Sequence, residues 1–160
     1  MKIKIKSWPK LLLSIIICQG AGLLGSVFTT SEINAWYRGI IKPSFNPPNW
    51  IFGPVWTLLF LLMGFALYLI WQEDFKKKKV QLAWAIFIGQ LVLNVFWSVL
   101  FFGLHNPGAA FVEIIILWLA ILTNIYYFYQ VKKTAAYLLL PYILWVSFAA
   151  ILNFAIWQLN

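Results

Sequence analysis

Residues 80–102 read VQLAWAIFIGQLVLNVFWSVLFF, without one Asp, Glu, Lys or Arg. A helix needs about 20 apolar residues to cross the hydrocarbon core of a bilayer, and this stretch has that length. In lipid every backbone N–H and C=O must be satisfied internally, so a run of this kind is a helix rather than a strand. The run is not uniformly apolar. Gln90, Asn94 and Trp97 recur at i, i+4 and i+7, and Phe101 extends the same helical face. Polar side chains inside a membrane helix are costly and mark faces turned to the bundle interior or to a pathway.

Working outward, four more runs of similar length accompany it. Helices are expected over about 9–28, 51–71, 80–102, 109–130 and 135–159, with a lid loop over 29–50. Together they form one five-helix transmembrane domain spanning 1–160, an all-α integral membrane protein. Composition agrees: 63% of the 160 residues are hydrophobic and only 10% charged, against about 25% charged in a soluble domain. The start, MKIKIKSWPKLLLSIII, looks like a signal peptide. Its apolar run, however, continues past Gly20, Gly22 and Gly25 to about Phe28 without a small-residue cleavage site, so it reads as a retained first helix.

The formal charge of +8 is a topology signal rather than a nucleic-acid footprint, and no nucleic-acid partner is expected. Lys2, Lys4, Lys6, Lys10, Lys76–Lys79, Lys132 and Lys133 fall on one side of a five-span chain, and only Arg38 and Lys42 on the other. By the positive-inside rule the N-terminus is cytoplasmic, and the lid loop and C-terminus are extracytoplasmic. Lys76–Lys79 then anchor the chain at anionic headgroups. The single cysteine, Cys18, lies inside an apolar run and cannot form an intrachain disulfide.

The loop side carries the most unusual composition. Trp36–Trp56 reads WYRGIIKPSFNPPNWIFGPVW, with Pro43, Pro47, Pro48 and Pro54 among Trp36, Phe45, Trp50 and Trp56. Proline fixes φ and pushes the preceding residue toward extended backbone, so the segment holds a definite non-helical shape. It reads as a stiff aromatic lid. Of the ten tryptophans, Trp8, Trp71, Trp84 and Trp157 fall at helix ends, where interfacial belts are expected. Trp56, Trp97, Trp118 and Trp145 sit deeper, and a buried indole N–H wants a partner.

The fifth span places Tyr142, Trp145, Ala149 and Leu152 or Asn153 along a second stripe. Facing Gln90, Asn94 and Trp97, it makes the mostly apolar lining of a small-molecule pocket, or else two faces held together by amide hydrogen bonds. Glu113 is placed in the first turn of the fourth span, where the helix dipole favours negative charge. His105 lies in a short loop with Asn106, Pro107 and Gly108 and has no second ligand in sight, so no metal is expected. No nucleophile–base pair, phosphate loop or carboxylate pair appears, and hydrolytic chemistry is not expected. Small-residue patterns at Cys18, Gly22 and Ser26 and at Ala85 and Gly89 mark close helix contacts, within the chain or at a dimer seam.

With these motifs in view, the chain resembles the translocator protein family, also called tryptophan-rich sensory protein or peripheral-type benzodiazepine receptor. The resemblance rests on KPSFNPPNWIFGPVWTLLF (Lys42–Phe60), GQLVLNVFWSVLFFG (Gly89–Gly103) and LLPYILWVSFAAILNFAIW (Leu139–Trp157), in the same order and on the corresponding helices. It implies a homodimeric five-helix bundle of a bacterial cell membrane, with a pocket beneath the first loop for protoporphyrin IX and for isoquinoline or benzodiazepine ligands. The matching positions are Trp50, Trp56, Asn94, Trp97, Trp145, Ala149 and Leu152; the helical-face reading adds Gln90 and Tyr142. For some bacterial members it further implies light- and oxygen-dependent breakdown of protoporphyrin IX, with Trp56 and Trp145 in the catalytic role. No cofactor is required, the porphyrin being ligand or substrate. The proposed cholesterol motif of animal members is incomplete, since LNFAIWQLN has Phe154 in place of its tyrosine and no basic residue after it. Cholesterol is therefore not an expected partner. A transporter of tetrapyrroles or other small hydrophobic ligands, and a stress-related sensory scaffold, are the competing readings.

Overall fold

The computed structural model describes residues 5–160. Among these there is no strand, and five helical spans are long and apolar enough to cross a membrane: Trp8–Asn34, Asn49–Trp71, Lys78–Gly103, Pro107–Val131 and Lys133–Leu159. The elements are α1 (Trp8–Asn34), α2 (Trp36–Gly39), α3 (Asn49–Trp71), α4 (Lys78–Ser98) with a π-helical turn at Val99–Gly103, α5 (Pro107–Val131), α6 (Lys133–Leu138) and α7 (Leu140–Leu159).

Two boundaries differ from expectation for identifiable reasons. The first helix does not stop near Phe28 but runs six residues further, to Asn34. Its hydroxyls support this: Thr29 Oγ1 donates to Gly25 O and Thr30 Oγ1 to Ser26 O, returning to carbonyls one turn back. Residues 29–34 therefore belong to a helix rather than to the loop, and Trp36–Gly39 adds a further turn. The fifth span is interrupted at Leu139. Pro141, two residues on, has no N–H to donate to Tyr137 O, so the helix breaks into α6 and α7. The start of α5 follows its sequence closely: Pro107 occupies the first turn, and the Asn106 side chain accepts from Ala109 N at 3.0 Å.

Glycine sets how closely α1 and α3 approach. A Cβ on Gly64 would lie 2.9 Å from the Ile15 Cα, and one on Gly22 would lie 2.6 Å from the Phe60 ring. The first-helix small-residue pattern thus serves a contact inside the chain. The other pattern does not: Ala85 and Gly89 are exposed, and a Cβ on Gly89 meets nothing. The main core runs through Met63, Leu67, Phe87, Ile121, Phe128 and Val146, all essentially inaccessible. Trp71 and Trp84 pair edge-to-face at 5.2 Å and are only partly exposed, whereas Trp8 faces outward as an interfacial residue does.

Candidate ligand-binding site

A cavity of about 300 Å³ lies between α1, α3, the end of α4 and α7, with Tyr37 of α2 above it. That volume is at the lower end of the range for ligand sites. Its wall is aromatic on the α3, α4 and α7 sides and hydroxyl-rich along α1, and no charged side chain contributes to it.

Three tryptophans, each with its own aromatic neighbours, organise the aromatic wall. Trp56 stacks on Phe60 at 5.6 Å and meets Tyr142 edge-on at 6.3 Å. Trp97 stacks on Phe101 at 5.0 Å, and its indole Nε1 donates to Asn153 Oδ1 at 2.9 Å. The Asn153 amide in turn donates to Pro107 O at 2.7 Å, so Trp97 is pinned to the start of α5. Trp145 packs against Phe52 at 5.9 Å and Phe148 at 5.5 Å, and its buried Nε1 has no partner. A buried donor left unmade costs about 1–3 kcal/mol.

Asn94 joins the cavity to a polar network behind it. Its Nδ2 donates to the Tyr142 hydroxyl at 2.9 Å, and that hydroxyl donates to Gln90 Oε1 at 2.9 Å. Among the expected site residues, Trp56, Asn94, Trp97, Trp145, Ala149 and Leu152 therefore share one cavity wall. Gln90 and Tyr142 do not line it: both are buried in the network that fixes Asn94. Trp50 does not line it either. It is 73% exposed at the start of α3, because only every third or fourth residue of a helix can face inward.

The stiff loop forms a roof held by specific bonds. The Tyr37 hydroxyl donates to Asn46 Oδ1 at 2.8 Å, and Asn46 Nδ2 donates to Pro47 O. Burial pushes the Tyr37 phenol up to about 12, with the Asn46 bond opposing the rise. Burial also lowers the Lys42 ammonium from its ordinary value, and Lys42 sits over the Tyr37 ring at 4.7 Å. Asn160 accepts from Ile41 N and donates to Ile41 O, both at 2.9 Å, tying the loop to the end of α7. Sequence reading missed this clamp, since no local pattern links residues 119 positions apart.

His105 and Glu113 also stand differently from expectation. The end of α1 brings Glu32 to 2.9 Å from His105 Nε2, and Trp36 stacks on the imidazole at 4.6 Å. His105 has φ 50°, a left-handed conformation unusual for a residue with a side chain. Among the described residues no group of three His, Cys, Asp or Glu could hold a metal. Glu113 falls in the second turn of α5, not the first, and both its carboxyl oxygens are buried without a partner. The helix dipole therefore does little for a charge at Glu113, its effect falling off within the first turn.

Residues 14–158 match the TspO/MBR family. The chain is 49% identical to the tryptophan-rich protein TspO of Archaeoglobus fulgidus over 152 residues, 94% of this chain and 97% of that protein. It is 45% identical to the protein of the same name from Chlorobaculum tepidum over 150 residues, covering 94% and 95% of the two chains. With the translocator protein of Homo sapiens it shares 40% identity over 139 residues, 86% of this chain and 82% of that one. These matches cover nearly all of the five-span bundle described above, and the chain belongs to the TspO/MBR family.

Proposed function

We propose that this protein is a membrane receptor for flat, conjugated, amphipathic molecules of the tetrapyrrole class, with protoporphyrin IX as the ligand and isoquinoline or benzodiazepine compounds as substitutes for it. The observation that carries this reading is an uncharged cavity in which the indoles of Trp56, Trp97 and Trp145 border one space. Conjugated rings pack favourably on aromatic faces. Asn94 lines the same space with its Nδ2 held by the Tyr142 hydroxyl, which leaves its Oδ1 as an acceptor for the ligand's polar edge. Titration with protoporphyrin IX quenches tryptophan fluorescence, and Trp145→Ala weakens the apparent affinity about tenfold, a loss of about 1.4 kcal/mol. Unaltered quenching in that variant contradicts the assignment.

A second reading adds chemistry at the same place. Trp56 and Trp145 border the cavity together, so an excited porphyrin there has oxidisable indoles on its wall. Under light and oxygen the bound porphyrin is then degraded with those tryptophans taking part. No cofactor is required, because the porphyrin absorbs the light. Product analysis after illumination separates the readings: Trp56→Phe and Trp145→Phe slow degradation if the indoles act, and leave it at the wild-type rate if the protein only binds. The receptor resides in a bacterial cell membrane as a homodimer, N-terminus in the cytoplasm and roof outside. The outward Ala85–Gly89 stripe is available to a second copy.

A further inference from the structure

The exposed part of the cavity wall is confined to two helices. Leu23 and Thr30 on α1, and Asn49, Gly53 and Thr57 on α3, line the cavity and are exposed as well. No lining residue of α2, α4, the π turn or α7 is exposed. A residue that borders a cavity and also meets the exterior lies at its mouth, so the cavity opens between α1 and α3, on the membrane-facing side.

The shape of that opening follows from the packing below it. Gly64 against the Ile15 backbone, Gly22 against Phe60, and the bond from Gln19 Nε2 to Thr57 O at 3.0 Å hold the two helices together. One turn further toward the roof, a Cβ on Gly53 meets nothing within 4 Å. These contacts run from Ile15 to Gly22 on α1, and the exposed lining residues Leu23, Thr30, Asn49 and Gly53 lie on the roof side of them. The margins of the slot are polar: Thr57 Oγ1 donates to Gly53 O, and Thr30 Oγ1 to Ser26 O. Hydroxyls along a slot that faces hydrocarbon suit a molecule with an apolar face and a polar edge. The roof, by contrast, is fastened by the two Asn160–Ile41 bonds and by the Glu32–His105–Trp36 cluster.

We propose that the cavity is loaded sideways, through the slot between α1 and α3, by a planar amphipathic ligand already dissolved in the roof-side half of the bilayer. The roof is then a fixed cap rather than a moving lid, and the slot is a subsite for the polar edge of the ligand. This inference rests on the reading of the cavity as a ligand site, but it is tested without the ligand.

The test uses the full chain carrying Cys18→Ser and Ser98→Cys, in phosphatidylcholine–phosphatidylglycerol vesicles. Cys18 is the only native thiol, and Ser98 lines the cavity on α4 beside Gly25. A bilayer-dissolved pyrene maleimide labels the Ser98→Cys thiol. A sulfonate-bearing thiosulfonate added from the roof side labels it at least about tenfold more slowly, as expected when a charged reagent must enter hydrocarbon first. Gly53→Trp, which fills the slot where there is open space, slows the maleimide about tenfold, while Asn160→Ala, which releases the roof, leaves its rate within about twofold. The proposal is overturned if the charged reagent labels as fast as the maleimide, if Gly53→Trp has no effect, if Asn160→Ala accelerates labelling, or if neither reagent reacts. In porphyrin binding, Gly53→Trp slows association and dissociation together, with little change in their ratio. Labelling as expected without porphyrin binding to the unmodified cavity refutes the ligand assignment and leaves the portal standing.

Discussion

Tyr142 accepts a hydrogen bond from Asn94 and donates one to Gln90, all three buried side chains inside the bundle. Tyr142→Phe keeps the ring and removes both bonds, leaving an amide donor and an amide acceptor without partners. Polar contacts between membrane helices average about 0.6 kcal/mol and reach about 1.7, and stranded buried groups cost about 1–3 kcal/mol. The variant should therefore lose about 1–3 kcal/mol of stability, measured by thermal or denaturant unfolding in detergent; a change within experimental error refutes the network's role. Tyr37 behaves differently because it lies in the roof. Its folded phenol is raised to about 12 from an ordinary 10.0 by burial, so folding favours the neutral form. The stabilisation is full below pH 10 and is lost as pH rises toward 12. Tyr37→Phe should remove that alkaline loss, leaving a flatter melting-temperature profile over the same interval.

At the scale of elements, the decisive features are where helices touch and where they break. Gly64 and Gly20 both sit on helices that cross the membrane, yet a Cβ meets the Ile15 backbone at 2.9 Å in the first case and nothing in the second. Gly64→Ala forces α1 and α3 apart and costs about 1–3 kcal/mol. Gly20→Ala gains helix propensity and is neutral or stabilising by up to about 1 kcal/mol. Unfolding of the pair side by side checks this, and equal effects would mean that the α1–α3 contact is not glycine-limited. The π turn at Val99–Gly103 is the other such feature. Leu104 N reaches back to Val99 O at 2.8 Å, so the last turn of the third span is widened. π turns occur frequently at functional sites, and here the turn carries Phe101 and Phe102 into the cavity wall.

For the whole molecule, the positive-inside rule ties orientation in the bilayer to charge, whereas packing holds the cap in place. Among the described residues Lys6 and Lys10 come at the start of α1, Lys76–Lys79 between α3 and α4 or in the first turn of α4, and Lys132 and Lys133 where α5 meets α6. Exchanging Lys76–Lys79 together with Lys132 and Lys133 for Gln should yield a mixed orientation, read by accessibility of a C-terminal tag from the two faces of the membrane; a uniform orientation would show that other features set topology. The two basic residues on the opposite side, Arg38 and Lys42, belong to the roof, where Lys42 is drawn onto Tyr37 and onto Ile40 O.

Hydropathy, proline and glycine placement and helical spacing suffice to read five spans, a stiff loop and the inward face of Asn94 and Trp97, because each depends on local chemistry or on one-helix periodicity. The extension of α1 to Asn34 is less legible, since Thr29, Thr30 and Ser31 look like loop residues until the Thr29 and Thr30 hydroxyls find carbonyls one turn back. Spacing alone cannot separate Tyr142 and Gln90, which hold the wall, from Trp145 and Ala149, which form it. Depth within a face depends on how far the neighbouring helices stand apart. The pairing of His105 with Glu32, the clamp of Asn160 on Ile41 and the slot between α1 and α3 join residues far apart in the sequence. Sequence by itself determined that the chain crosses the membrane five times and carries an aromatic, proline-stiffened cap. Only the tertiary structure decided that the cap is fastened and the cavity opens sideways, because both depend on interhelical distances that no local pattern encodes.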